Sequence, residues 1–239
     1  MNYQELEKNL VSLAIGIKYD NNFIINDFSG SIMDNILFSK ESNLNSEVFI
    51  QFARNSSGIK LRIPISRNDI LDTGDNGHVI INNTDIVFDM SLFEKFTKKY
   101  IIQEFNNSIL RNINNVVIIK NIKRLGYLKR YKISNLKIIE YFLNHFNIDN
   151  TCDINKLNID YSFIEKNDDK QKDVITINYI LQRIDIKDFI ITVDFQVNYT
   201  DELETLKEIK YDDFINQAEK HIEKVFLPWI ISMEEMKDE

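Results

Sequence analysis

Between Glu104 and Glu140 the chain carries no acidic residue, while Arg111, Lys120, Lys123, Arg124, Lys129, Arg130, Lys132 and Lys137 all fall inside that window. The protein as a whole has a formal charge of -8, so this cationic stretch stands against an acidic background. Lys and Arg at that density collect phosphate or an acidic protein surface by Coulomb attraction, at a strength that salt reduces. The plainer alternative is that their long stems cover a strand while the charged heads stay in water.

Other residue types that do chemistry are thinly spread. The three histidines, His78, His145 and His221, have no second His or Cys at ligand spacing, whereas a zinc site needs three or four such ligands. Asp69, Asp72, Asp75, Asp85 and Asp89 form an acidic cluster without the order of an EF-hand loop. Glu47, Asp85 and Asp89 with Lys60 suggest a metal-dependent nuclease core, but the Glu-x-Lys element on one strand is missing. There is no Gly-rich phosphate loop among the six glycines and no Gly-x-Ser-x-Gly elbow. The single cysteine, Cys152, cannot close an intramolecular disulfide and reads as a packed or surface thiol in a reducing cytoplasm. The expectation is no catalytic residue, no metal and no cofactor.

A binding surface is better supported. Thr192, Asp194, Gln196 and Asn198 share one face of an alternating strand, with Asn178 and Gln182 on a second strand. If that face neighbours the basic stretch, Lys120, Lys123, Arg124, Tyr127, Arg130, Tyr131, Asp194 and Gln196 make one polar and aromatic patch. Tyr and Arg anchor protein interfaces, and the same types stack on and hydrogen-bond single-stranded nucleic acid.

The elements that position these residues follow from periodicity. Strands are expected over 10–19, over 115–133 with a kink at Gly126, over 158–164, over 174–183 and over 189–199. A hairpin is expected over 47–65 around Asn55-Ser56-Ser57-Gly58. A second strand or hairpin follows over 78–90 around Asn82-Asn83-Thr84. Helices are expected over 29–38, from a Ser91–Glu94 capping box to about Ile109, from Ser134 to His145, and over 212–229. The last should bury Phe214, Ile215, Ala218, Ile222, Val225 and Trp229, with a frayed tail after it.

Taken together, each half offers a strand, a short helix, antiparallel strands and a closing helix. The fold class is therefore α+β, with duplicated strand-helix-antiparallel sheet-helix halves and a curved antiparallel sheet backed by helices. By analogy it is a TATA-binding-protein-like saddle. The halves are placed at 1–113 and 114–239, or run together as one continuous domain. At 239 residues and 44% hydrophobic content the chain buries a proper core. The N-terminus is polar and acidic, and the apolar run 225–233 is too short to span a membrane, so a cytoplasmic protein with no membrane partner is expected. High Ile, Asn and Lys with little Ala suits an AT-rich bacterial coding sequence.

The segment Arg124-Leu125-Gly126-Tyr127-Leu128-Lys129-Arg130-Tyr131-Lys132-Ile133 resembles an Arg-hydrophobic-Gly-hydrophobic-Arg-Tyr motif of a sporadically distributed, uncharacterised bacterial protein family. Ile191-Thr192-Val193-Asp194-Phe195 is similar to its Asp-containing strand, and Gln217 to Ile222 with Phe226 to its closing helix. The resemblance covers about residues 90–230 and lacks the family's Pro-Pro-Ile-Val-like opening. It implies a mobile accessory gene, of the kind found in phage-defence or toxin–antitoxin operons. The resulting expectation is a non-enzymatic protein-binding component of a bacterial multi-protein system. A nucleic-acid-binding protein using the basic strand is the alternative, and a metal-dependent hydrolase or nuclease the third reading. Oligomeric state is left open.

Overall fold

In the computed structural model the described residues are 2–20, 22, 24–38, 51–55, 58–62, 77–92, 97–134, 156–159, 165–166, 174–183, 188–203 and 211–235. Residues 135–145 of the helix expected from Ser134, His145 included, together with Cys152 and the 69–75 Asp cluster, lie outside them.

Among the described residues ten strands form one sheet: β1 (Leu10–Tyr19), β2 (Gln51–Asn55), β3 (Gly58–Arg62), β4 (Gly77–Asn82), β5 (Asp85–Ser91), β6 (Ile122–Ile133), β7 (Lys156–Ile159), β8 (Glu165–Lys166), β9 (Val174–Arg183) and β10 (Phe189–Leu203). Their order is β2-β3-β4-β5-β1-β6-β10-β9-β7, with β8 also on β9, and every pairing is antiparallel. Read outward from the centre, the two halves mirror one another: β1, β5, β4 on one side answer β6, β10, β9 on the other. This is the expected duplicated α+β plan with its curved antiparallel sheet. The pseudo-dyad passes between β1 and β6 where Gly16 opposes Gly126. The expected boundary at 113/114 falls within the helix Arg111–Val116.

Alternation assigns the faces. On β5, Ile86, Phe88 and Met90 are buried, and on β6 Leu125, Tyr127, Lys129, Tyr131 and Ile133 are buried. On β10 the matching set is Ile191, Val193, Phe195 and Val197. These face the helices: α1 (Tyr3–Lys8), α2 (Ile24–Asp27), α3 (Ser29–Phe38), α4 (Lys98–Glu104), α5 (Arg111–Val116), α6 (Tyr211–His221) and α7 (Leu227–Glu235). Phe226 stacks on Tyr131 and Tyr179 with ring centroids 5.8 and 5.3 Å apart, and Phe214 lies 5.9 Å from Phe195. The other sheet face has no described helix on it.

Local chemistry explains most element ends. Asn2 caps α1: its side chain accepts from the Glu5 N–H at 3.0 Å while Glu5 accepts from the Asn2 N–H at 2.8 Å. The Asn82 side-chain oxygen accepts from the N–H groups of Thr84 and Asp85 and makes the 78–90 region a tight hairpin. Four expectations change. The closing helix of the first half starts at Lys98 under a Thr97 cap, because Ser91 is held in β5 opposite Ser12. Residues 111–116 are helical, so the basic strand begins only at Ile122. Gly126 makes no kink, since register runs unbroken through it. The expected strand at 158 begins two residues earlier, as β7 (Lys156–Ile159), and residues 160–164 lie outside the described residues.

Each closing helix also contains a wide π turn, at Phe105–Leu110 between α4 and α5 and at Ile222–Phe226 between α6 and α7. The second moves the inward stripe by one residue, burying Phe226 and leaving Val225 47% exposed. It ends two residues before Pro228, which has no N–H to give the helical ladder, and the helix runs on to Glu235.

Helices and sheet are joined by a buried charge cluster. Lys129 on β6 is fully buried, and its ammonium reaches Glu7 of α1 and Glu219 of α6, each at 2.8 Å, and the Tyr3 hydroxyl at 3.4 Å. Lys98 of α4 bonds the same two carboxylates at 3.0 and 3.3 Å. The hydroxyls of Tyr3 and Tyr127 donate to Glu219, and that of Tyr131 to Glu7 at 2.9 Å. Burial acts to raise the Glu219 carboxyl, but the Lys129 charge and three hydrogen bonds outweigh it and hold it below the usual range. Lys129→Met should cost about 3–5 kcal/mol in urea unfolding, because it leaves the carboxylates against one remaining cation. Glu219 contributes stability above the ordinary glutamate value of 4.5, and loses it as pH falls toward its depressed value. Glu219→Gln should therefore differ most from wild type at neutral pH, with the gap in melting temperature narrowing below that value.

Candidate functional site

The open sheet face presents three neighbouring rows across β5, β1, β6 and β10. The middle row is Val87, Gly16, Gly126 and Gln196; one flanking row is Asp85, Lys18, Arg124 and Asn198; the other is Asp89, Ala14, Leu128 and Asp194. Two adjacent glycines leave a depression of about 200 Å³ over bare backbone, rimmed by Lys18, Arg124, Leu128, Asp194 and Gln196. The pseudo-dyad relates Asp85 to Asp194, because each pairs with the strand residue two places beyond its own half's glycine. It relates Lys18 to Leu128 and Ala14 to Arg124, so the rim is only partly symmetric.

The two glycines differ in what holds them. A Cβ on Gly16 would lie 3.3 Å from the Val87 side chain and 3.4 Å from the Ile86 carbonyl oxygen, so close packing accounts for that residue. A Cβ on Gly126 would meet nothing nearer than the Gly16 carbonyl oxygen at 4.0 Å. Neither has the left-handed backbone that glycine alone adopts freely. Glycine within a strand weakens it and marks a bend or a close approach by another group. Gly126 has neither a bend nor a described neighbour that needs the space.

Around the floor, the Arg124 guanidinium donates to the Gln196 side-chain oxygen at 3.1 Å, and the Gln196 amide donates to Asp194. Asn178 also donates to Asp194, at 3.4 Å. Burial pushes the Asp194 carboxyl up; those amides and the more distant guanidinium groups only partly offset it. Arg130, on the same face, is committed elsewhere: it forks onto Asp89 at 2.9 and 3.0 Å and donates to Ser12 at 3.0 Å.

Of the residues expected to form one patch, the structure brings together Arg124, Asp194 and Gln196, with Arg130 nearby but paired. Tyr127 and Tyr131 are corrected: odd-numbered positions of β6 face the helices, and both rings are buried in the Lys129 cluster. Lys123 is at the strand end in an ion pair with Asp20 at 2.5 Å. Lys120 precedes β6 and lines a separate cavity of about 500 Å³ together with Asp20, Ile24 and Ile118. Gly16, Gly126 and Lys18 were not expected at a site, and Asp85 was weighed only in the acidic cluster and the nuclease reading; the two glycines were visible in the sequence, but only the β1–β6 register makes them neighbours.

Among the described residues no other cluster competes as a reactive centre. The Lys129 ammonium uses its three N–H groups on Tyr3, Glu7 and Glu219, which leaves it none to offer a ligand. His221 shares a 2.8 Å hydrogen bond with Tyr179 and packs against Phe195. Among the described residues no group of three or more His, Cys, Asp or Glu is placed to hold a metal, and no helix is long and apolar enough to cross a membrane.

Packing and function separate in a paired substitution. Gly126→Ala should gain about 0.4–1 kcal/mol by restricting the unfolded chain, while Gly16→Ala should gain nothing or lose stability against Val87. Denaturant midpoints of the two variants measure this. Comparison with protein-family models, with curated proteins and with solved structures finds no match to this chain.

Proposed function

We propose that the protein is a non-enzymatic binding component of a bacterial multi-protein system, acting in the cytoplasm, and that it holds a protein partner on its open sheet face. The observation that carries this reading is Gly126: a glycine in the middle of the central strand, where a side chain would fit and no described residue fills the space. An antiparallel sheet with helices on one side and a polar opposite face suits such a role.

On the central strands the face carries Lys18, Arg124, Arg130 and Lys132 beside Asp85, Asp89, Asp188 and Asp194, and the Arg130–Asp89 and Lys132–Asp188 pairs are direct. Towards the sheet edges the register adds Lys60, Arg62 and Lys156 to the same face. A polyanion is bound through uncompensated cations, so the direct pairing on the central strands favours a protein surface there. It also rules Arg130 out as a clean probe of binding, since reversing its charge sets it against Asp89.

The experiment is co-purification at modest salt from the native host, comparing wild type with Gly126→Leu. A stoichiometric protein that is retained by wild type and lost from a folded Gly126→Leu variant is the expected outcome. A partner held equally by both places the interface elsewhere and ends this reading. Nucleic acid that raises the 260/280 nm absorbance ratio and is stripped by salt would favour nucleic-acid binding instead.

A further inference from the structure

We infer that the depression over Gly16 and Gly126 takes a flat aromatic side chain from an extended segment of a protein partner, with an acidic residue of that segment against Lys18 and Arg124. This deepens the binding-component reading and rests on it.

Size comes first. At about 200 Å³ the depression is smaller than the roughly 300–1,000 Å³ of pockets that enclose a small-molecule ligand. It holds one side chain. Its floor is two opposed glycine backbones, a flat surface of peptide planes. Aromatic rings cover exposed glycine in sheets, where their broad faces replace the missing side-chain contacts. Here the protein supplies no such ring from the described positions of this face: Tyr19, Phe88, Tyr127, Tyr131 and Phe195 all lie buried on the other side.

Charge supplies the second half. Lys18 and Arg124 are register partners on one side of the glycine pair, in a row that Asp85 begins, and Ala14 and Leu128 are register partners on the other, between Asp89 and Asp194. Among the described residues no carboxylate forms an ion pair with Lys18 or Arg124, whereas Arg130 on the same face has Asp89. The described partner of the Arg124 guanidinium is a neutral amide oxygen, which leaves donors of its planar fork for a carboxylate. An acidic residue next to the aromatic one meets that need, and the Ala14–Leu128 side accepts an apolar neighbour.

The test pans a random linear-peptide library on the immobilised full chain and measures the enriched peptides against wild type, Gly126→Leu, Gly126→Ala and Arg124→Gln. Peptides carrying Trp, Tyr or Phe beside Asp or Glu should be enriched. Their affinity should fall about tenfold or more in Gly126→Leu, as for the anchor of an interface, and survive in Gly126→Ala. Arg124→Gln should remove the preference for the acidic residue while keeping that for the ring. Thermal melts establish that each variant is folded, and Arg124→Gln carries the test if Gly126→Leu is not. Failure to enrich, enrichment without an aromatic residue, or equal binding to Gly126→Leu overturns the inference. So does a self-association or an oligonucleotide complex that Gly126→Leu abolishes. A co-purified partner that depends on residue 126, with no aromatic–acidic peptide enriched, would sink this inference and leave the binding-component reading standing.

Discussion

The burial of the Lys129 charge constrains the rest of the architecture. An ammonium removed from water is tolerated only when counter-charges and hydrogen bonds replace its hydration. Lys129 obtains them from two separate elements, Tyr3 and Glu7 of the N-terminal helix and Glu219 of the last closing helix, while Lys98 of the first closing helix joins as a second cation on the same two carboxylates. None of these partners is local in sequence. The cluster therefore fixes how three helices lie on the central strand, and apolar packing such as Phe226 on Tyr131 and Tyr179 fills the space around it. Misplacing any one helix would strand a buried charge, which penalises alternatives more sharply than apolar contact does.

This arrangement also divides the labour of the central strand. Odd-numbered residues of β6 build the helix-covered side and even-numbered residues face outward, so a sequence that reads as one basic and aromatic stretch serves two unrelated purposes. The tyrosines and Lys129 hold the fold together. Arg124, Gly126 and Leu128 remain for the open face.

That split shows where sequence was informative and where it was not. Period-two alternation located β1, β9 and β10 closely, and turn chemistry located both first-half hairpins, because those signals are local. The duplicated order of elements was legible for the same reason. Pairing was not. The sequence carries no mark that Gly16 opposes Gly126, that Glu219 reaches Lys129 across ninety positions, or that Tyr127 and Arg124 point apart once β6 begins at Ile122. The start of the first closing helix was missed because Ser91 satisfies a capping pattern and a strand equally well, and pairing with Ser12 decides between them. The inward position of Phe226 was missed because a π turn breaks the 3.6-residue period on which the expectation rested.

The pseudo-dyad through Gly16 and Gly126 has one more consequence. A site lying on the axis of two identical subunits is a palindrome: whatever it binds reads the same from either end, and the orientation of an asymmetric guest is undetermined. Here the axis runs through a single chain whose two sides differ. Asp85 and Asp194 are equivalent about it, while Lys18 answers Leu128 and Arg124 answers Ala14. A segment laid across this surface would meet different residues at its two ends.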